Sequence, residues 1–190
     1  MTYHLSHLPE VQAAIEAATS CHTITELQAA VHAFDANPLC HSPAMPGRAG
    51  ERCAVQNPVM ILGKSPAGTE TETRVPFSGP AGLVLREEMA LAGLDIEACW
   101  ITCATPWKAR KDNNPNSTQL AFSRPFLFRE IELVQPSLIL CLGQKADEAL
   151  TQKAEPLGDK PGTSWMFRAP NGFEVEVRVL WCHAYVMYGR

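Results

Sequence analysis

The sequence predicts an α/β fold, a three-layer α/β/α sandwich around a central, largely parallel four-stranded sheet. From residue 59 onward, short apolar runs alternate with helical stretches, the pattern of parallel strands buried on both faces and joined by crossover helices. The runs at residues 59–62, 100–104, 138–142 and 175–182 are four to eight residues long, the length of strands rather than of helices. Each is followed by a compact polar segment (GKSP, CATPW, GQK and HAY), placed where such sheets gather ligands, at the carboxyl ends of their strands.

The elements follow in order. Residues 8–33 read as two helices. Val11, Ala14, Ile15 and Ala18 share one face of the first, and after a break at SCHT, Thr23 and Glu26 form a capping box that opens the second. Residues 35–58 are rich in Pro, Gly and Ala without periodicity and read as an irregular connector. Too little chain precedes that segment to fold alone, so residues 1–190 are taken as one domain. Helices are expected near residues 80–92, 117–134 and 144–150, between the strands.

Composition narrows the class. With 46% hydrophobic and 19% charged residues, 190 residues are enough to enclose a sizeable core. No run of about 18 apolar residues is present, and the start MTYHLSHLPE lacks the basic and apolar parts of a signal peptide. A cytoplasmic location with no membrane partner is therefore expected. Seven cysteines, several in apolar runs and none in a CxxC pair, point to reduced buried thiols rather than to disulfides or zinc. A net charge of −4 argues against general coating of nucleic acid and is compatible with a local basic groove.

The richest stretch is residues 59–82, VMILGKSPAGTETETRVPFSGPAG. It runs from a strand through a Gly/Pro loop, places a Phe between Pro and Ser-Gly, then opens a helix, so that small residues and backbone N–H groups face an approaching ligand. GKSPAG lacks the spacing of a nucleotide P-loop, which disfavours phosphoryl transfer. Lys108, Arg110 and Lys111 with Asn113, Asn114 and Asn116 form a basic, amide-rich loop suited to phosphate contacts.

Together with CWITCATPWKARKDNNP and WCHAYVMYGR, that stretch resembles the uracil-DNA glycosylase superfamily, and within it the family-4 type, over residues 24–190. Gly63-Lys64-Ser65-Pro66-Ala67 stands where the family has Gly-Glu-Ala-Pro-Gly. The family's Pro-Phe-x-Gly-x-Ala-Gly follows at the same spacing as Pro76-Phe77-Ser78-Gly79-Pro80-Ala81-Gly82. Ile101-Thr102-Cys103 matches Ile-Thr-Asn, Arg124-Pro125-Phe126-Leu127 matches Arg-Pro-x-Leu, and Gln135 to Gly143 matches the following strand. His183-Ala184-Tyr185 through Arg190 matches the last motif without its Pro.

The resemblance implies roles. Phe77 would stack on a flipped base, with Gly63, Lys64 and Cys103 around it, and His183 would donate to the leaving base or contact its phosphate. Ser65 or Glu70 would position the attacking water. Lys108, Arg110, Lys111 and Asn113 would hold DNA, duplex or single-stranded. Tyr185 or Met187 would fill the gap left by the flipped base, with Arg190 on phosphate. No protein partner is indicated.

Departures from the family are as informative. The four cluster-ligating cysteines of family-4 proteins fall on Phe34, Asn37, Trp107 and Ser123, none of them a thiol, so no iron–sulfur cluster and no other cofactor is expected. Cys103 replaces the Asn that reads the polar edge of uracil, and Lys64 replaces a carboxylate. Divergent members of this type remove glucosylated hydroxymethylcytosine from phage DNA. The resemblance therefore implies a monofunctional DNA glycosylase for a base other than plain uracil; ordinary uracil excision and a silent DNA- or nucleotide-binding module are the alternatives.

Overall fold

In the computed structural model, which describes residues 3–36, 42–54, 56–109 and 114–182, the four sequence-predicted strands lie side by side and parallel. They are β2 (Val59–Gly63), β3 (Trp100–Cys103), β4 (Leu138–Leu142) and β6 (Glu174–Leu180). Two further strands extend the sheet to six: β1 (Arg48–Ala49) runs antiparallel to β3, and β5 (Ser164–Arg168) runs antiparallel to β6. The order is β1-β3-β2-β4-β6-β5, so the expected sheet of four is the parallel centre of a larger mixed one.

Register follows from the side-chain alternation of the strands. Met60 lies opposite Trp100 and Ile139, and Ile139 opposite Val177. Met60, Leu62, Ile139 and Cys141 face one layer of helices, α5 (Ser117–Val134) and α6 (Gln144–Thr151). Ile61, Leu140 and Leu142 face the other, where α4 (Pro80–Leu91) contributes Leu85 and Met89. Both faces of β2 and β4 are therefore apolar, which accounts for their unbroken hydrophobic runs, whereas β6 alternates buried Val175, Val177 and Val179 with Glu174, Glu176 and Arg178. The sandwich has the three expected layers, with α1 (Pro9–Thr19) and α2 (Ile24–Ala33) packed outside α5.

Local chemistry sets the helix ends. Thr23 accepts from the Glu26 amide while the Glu26 carboxylate accepts from Thr23, the expected capping box. Asn116 and Gln119 form the same device at the start of α5, so Asn116 acts as a helix cap. Arg124, fully buried, donates to the carbonyls of Ala149 and Glu148 at the end of α6, tying the two helices together. Cys21, Cys53, Cys99, Cys103, Cys141 and Cys182 are free thiols. Among the described residues no helix is long and apolar enough to cross a membrane.

Candidate active site

In chain order, β3 follows β2 on one side and β4 returns to its other side, which makes the carboxyl end of β2 the topological switch point of the sheet. β2 ends there on Gly63. A cavity of about 160 Å³ opens beside it, bounded by Met45 and Pro46, the loop from Lys64 to Ala67, Phe77, Thr102, Cys103, Leu142 and Cys182. Against about 10–15 Å³ for one water on the same scale, this is room on the order of ten heavy atoms, the size of a nucleobase rather than of an ion.

Phe77 forms one wall. A Cβ on Gly63 would stand 2.8 Å from its Cζ and 3.4 Å from the Cys103 sulfur, so the ring rests in the space that Gly63 leaves open. Phe77 has φ of 52°, a left-handed conformation that costs a side-chain-bearing residue about 1–2 kcal/mol. Surrounding contacts hold it there. The first turn of α4 approaches so closely that a Cβ on Gly82 would lie 2.0 Å from the Phe77 carbonyl oxygen. Gly82→Ala is therefore expected to lower the unfolding free energy by about 1–3 kcal/mol and to abolish ligand binding at the wall, which thermal unfolding and a binding titration would register together.

The loop carrying Phe77 is tied down by α3 (Gly68–Thr73). Glu70 accepts from the Ala67 amide at 3.1 Å through Oε2 and from the Gly79 amide at 2.9 Å through Oε1. Thr73 and Ser78 share a hydroxyl–hydroxyl bond of 2.7 Å. Ser65 lines the cavity alongside Glu70.

Cys103 lines the cavity beside Gly63 and also borders the smaller cavity next to it. Burial pushes its thiol up to about 12, with the carboxylates of Glu70 and Glu130 adding to the effect, so it stands in the site as a neutral group. Lys64 donates to the Asn114 side-chain oxygen at 3.0 Å across the rim, linking the first loop to the segment before α5. Lys108 extends its ammonium to within 3.5 Å of where a Gly68 side chain would begin.

The structure thus brings Gly63, Lys64, Ser65, Glu70, Phe77 and Cys103 around one cavity, with Lys108 beside Gly68 at the start of α3. Arg110, Lys111, Asn113, His183, Tyr185, Met187 and Arg190 lie outside the described residues. The sequence reading missed Met45, Pro46 and Cys182, and it missed Glu130, whose partners lie on β3. Glu130 accepts from Trp100 Nε1 and Thr102 Oγ1, both at 2.8 Å, and burial raises its carboxyl to about 7. Only a glycine fits beside it, since a Cβ on Gly47 would overlap Oε1. Glu130 borders a second, smaller cavity of about 20 Å³ that shares Pro46, Thr102 and Cys103 with the first.

The residues at the cluster positions do not suit a thiolate-ligated iron–sulfur group. Phe34, Trp107 and Phe126 pack as an aromatic trio, with ring centroids 5.0–6.2 Å apart. Ser123 is buried and bonds to Thr105, and Asn37 lies outside the described residues. Among the described residues no group of three or more His, Cys, Asp or Glu is arranged to hold a metal.

Residues 50–189 match the family model of the Uracil DNA glycosylase superfamily. The chain belongs to that superfamily. A type-4 uracil-DNA glycosylase from Pyrobaculum aerophilum is 30% identical over 133 residues, 68% of this chain and 67% of the relative. The corresponding protein of Archaeoglobus fulgidus is 28% identical over 54% of this chain, and that of Saccharolobus solfataricus is 28% identical over 58%. The matches span only about half of the length of these last two relatives, 49% and 50%. Superfamily membership accords with the cavity at the switch point and with the Phe-bearing loop that walls it.

Proposed function

We propose that this chain is a monofunctional DNA glycosylase for a flipped base other than plain uracil, and that the base is a hypermodified pyrimidine of phage DNA such as α-glucosyl-hydroxymethylcytosine. The observation that carries this reading is Cys103. A neutral thiol is a weak single donor and cannot make the two-point contact by which an amide reads the edge of uracil. The cavity keeps an aromatic wall for any flat base but gives up the group that would select uracil.

Lys64 supports the same reading. It places a cation at the rim, where polar groups appended to a base would emerge, and Asn114 holds it there. The cavity accommodates roughly a base, so an appended sugar would sit at this rim rather than inside.

Breaking the glycosidic bond leaves negative charge on the departing base and positive charge on the sugar, so the site must hold the flipped nucleotide and favour the base anion. In the proposal Phe77 stacks on the base, while Lys64 and His183 donate to it. Water adds to the sugar carbon beside Ser65 as the bond from that carbon to the base nitrogen breaks, and the proton the water loses ends on the departed base anion. Lys108, Arg110, Lys111, Asn113, Tyr185, Met187 and Arg190 engage the DNA strand on either side, duplex or single.

Phe77→Ala is expected to reduce kcat/KM by about 5- to 150-fold, the loss of about 1–3 kcal/mol of stacking. Steady-state kinetics on the preferred DNA would measure it, and an unchanged kcat/KM would remove Phe77 from the base site.

A second reading, excision of uracil itself, is favoured by the names of the relatives. One assay separates the two. Purified protein is incubated with glucosylated phage DNA, uracil-containing DNA and unmodified DNA, and alkali-labile breaks are counted. Breaks confined to the glucosylated DNA are expected. Breaks confined to uracil DNA would establish the second reading. Breaks in none, with tight DNA binding that His183→Ala leaves unchanged, would make the chain a silent binding module.

A further inference from the structure

We infer that Glu70 is a positioning residue that staples the two halves of the site together, and that it does not serve as the base that activates water. Its two carboxylate oxygens divide their bonds between separate segments. Oε2 takes the amide of Ala67, which ends the loop from Gly63, while Oε1 takes the amide of Gly79, two residues past Phe77. Ala67 and Gly79 are the N-cap residues of α3 and α4, and neither has a side chain that caps its helix. One carboxylate therefore satisfies an exposed donor at the start of each helix. Both halves of the cavity wall pivot on it.

The wall needs such a tie. Phe77 sits at φ of 52°, a backbone state that persists only where the surroundings fix it. The Thr73–Ser78 hydroxyl bond and the Glu70–Gly79 bond anchor the two residues that follow Phe77, the Val75 amide donates to Thr73 ahead of it, and Gly82 closes on its carbonyl. Releasing Glu70 frees the Gly79 amide and lets the 74–79 loop relax toward ordinary backbone angles. The ring then leaves the space over Gly63.

This inference builds on the glycosylase reading, so its test has one arm that needs no turnover. Amide hydrogen exchange at Ala67 and Gly79 is compared in wild type, Glu70→Gln and Glu70→Ala. The glutamine keeps one acceptor oxygen and the alanine none. Exchange at one of the two amides is expected to rise at least tenfold in Glu70→Gln, and at both in Glu70→Ala. Slow exchange at both sites in Glu70→Ala would overturn the staple.

The kinetic arm uses the DNA that wild type cleaves best. Glu70→Gln is expected to raise KM several-fold while keeping kcat within about fivefold and leaving the acid side of the pH profile in place. A water-activating base would instead contribute about 10²–10⁴ to kcat, so a fall of that size in Glu70→Gln, with loss of the acid limb, would overturn the inference. In a Phe77→Ala background, Glu70→Ala is expected to cost little more, because the residue it positions is already gone. Full additivity of the two changes would also overturn it. Inactivity of wild type on every DNA would count against the glycosylase reading alone, since the exchange arm reads the staple directly.

Discussion

Trp107→Ala is expected to lower the unfolding free energy by about 3–5 kcal/mol. At about 2–4 °C per kcal/mol for a chain of this length, that corresponds to a fall of roughly 6–20 °C in the thermal midpoint. Trp107 is only 2% exposed and lies against both Phe34 and Phe126, so truncation leaves a cavity between α2, α5 and the loop after β3. Phe34 and Trp107 stand at two of the positions where the resemblance puts thiolates, and their packing with Phe126 ties α2, α5 and the loop after β3 together. Purified protein is expected to carry no iron or acid-labile sulfide, and chelators should leave its melting unchanged. Stoichiometric iron together with a midpoint that falls on chelation would refute both expectations. A Trp107→Ala protein that melts with wild type would refute the packing prediction.

The second large effect concerns pH. Glu130 is expected to make the protein less stable at pH 8 than at pH 5. Its carboxyl rises from 4.5 to about 7 in the folded chain, so the folded state keeps a proton that the unfolded state has released. The stabilisation is fully present below pH 4.5 and is lost as pH climbs through about 7. A shift of this size corresponds to about 3 kcal/mol. Glu26, Asp95 and Glu97 act in the opposite sense. The His22 amide, Arg52 and Arg86 respectively hold their carboxyls below the ordinary value, and that help is lost on acidification. Glu130→Gln removes the titration and still offers an oxygen to Trp100 or Thr102. Urea unfolding at pH 5 and pH 8 should show a clear loss in wild type and a much smaller one in Glu130→Gln. Equal slopes in the two proteins would sink the assignment.

Much of this was legible in the chain. β2 and β4 are apolar on both faces and β6 alternates Val with Glu and Arg, and such patterns announce themselves without tertiary information. Thr23 and Glu26 signalled their capping box by spacing alone. β1 was hidden because two residues carry no periodicity, and β5 because a sheet-edge strand buries only Phe167 among its five residues. Gly63, Lys64, Ser65, Phe77 and Cys103 could be named because they stand in motifs that resemble those of a known family, and Glu70 because it is the nearest carboxylate after the first of them. Met45 and Pro46 could not, since they reach the cavity from an irregular segment anchored by the Met45 amide on the Pro106 carbonyl. Nothing in the sequence singles out Glu130 among the polar residues of α5. Only the packing of α5 against β3 reveals that its partners are Trp100 and Thr102.

The contact between Phe77 and Gly63 has an evolutionary corollary. The ring edge occupies the volume that a methyl group at residue 63 would need, so the two positions share one allotment of space. Among descendants of this fold they are expected to drift as a pair. A lineage that acquires alanine at the end of β2 must shorten or turn away the residue at 77, and with it must change the shape of the ligand it accepts. Substrate range in this branch would then move in discrete jumps, each marked by a coupled exchange at two sites fourteen positions apart in the chain.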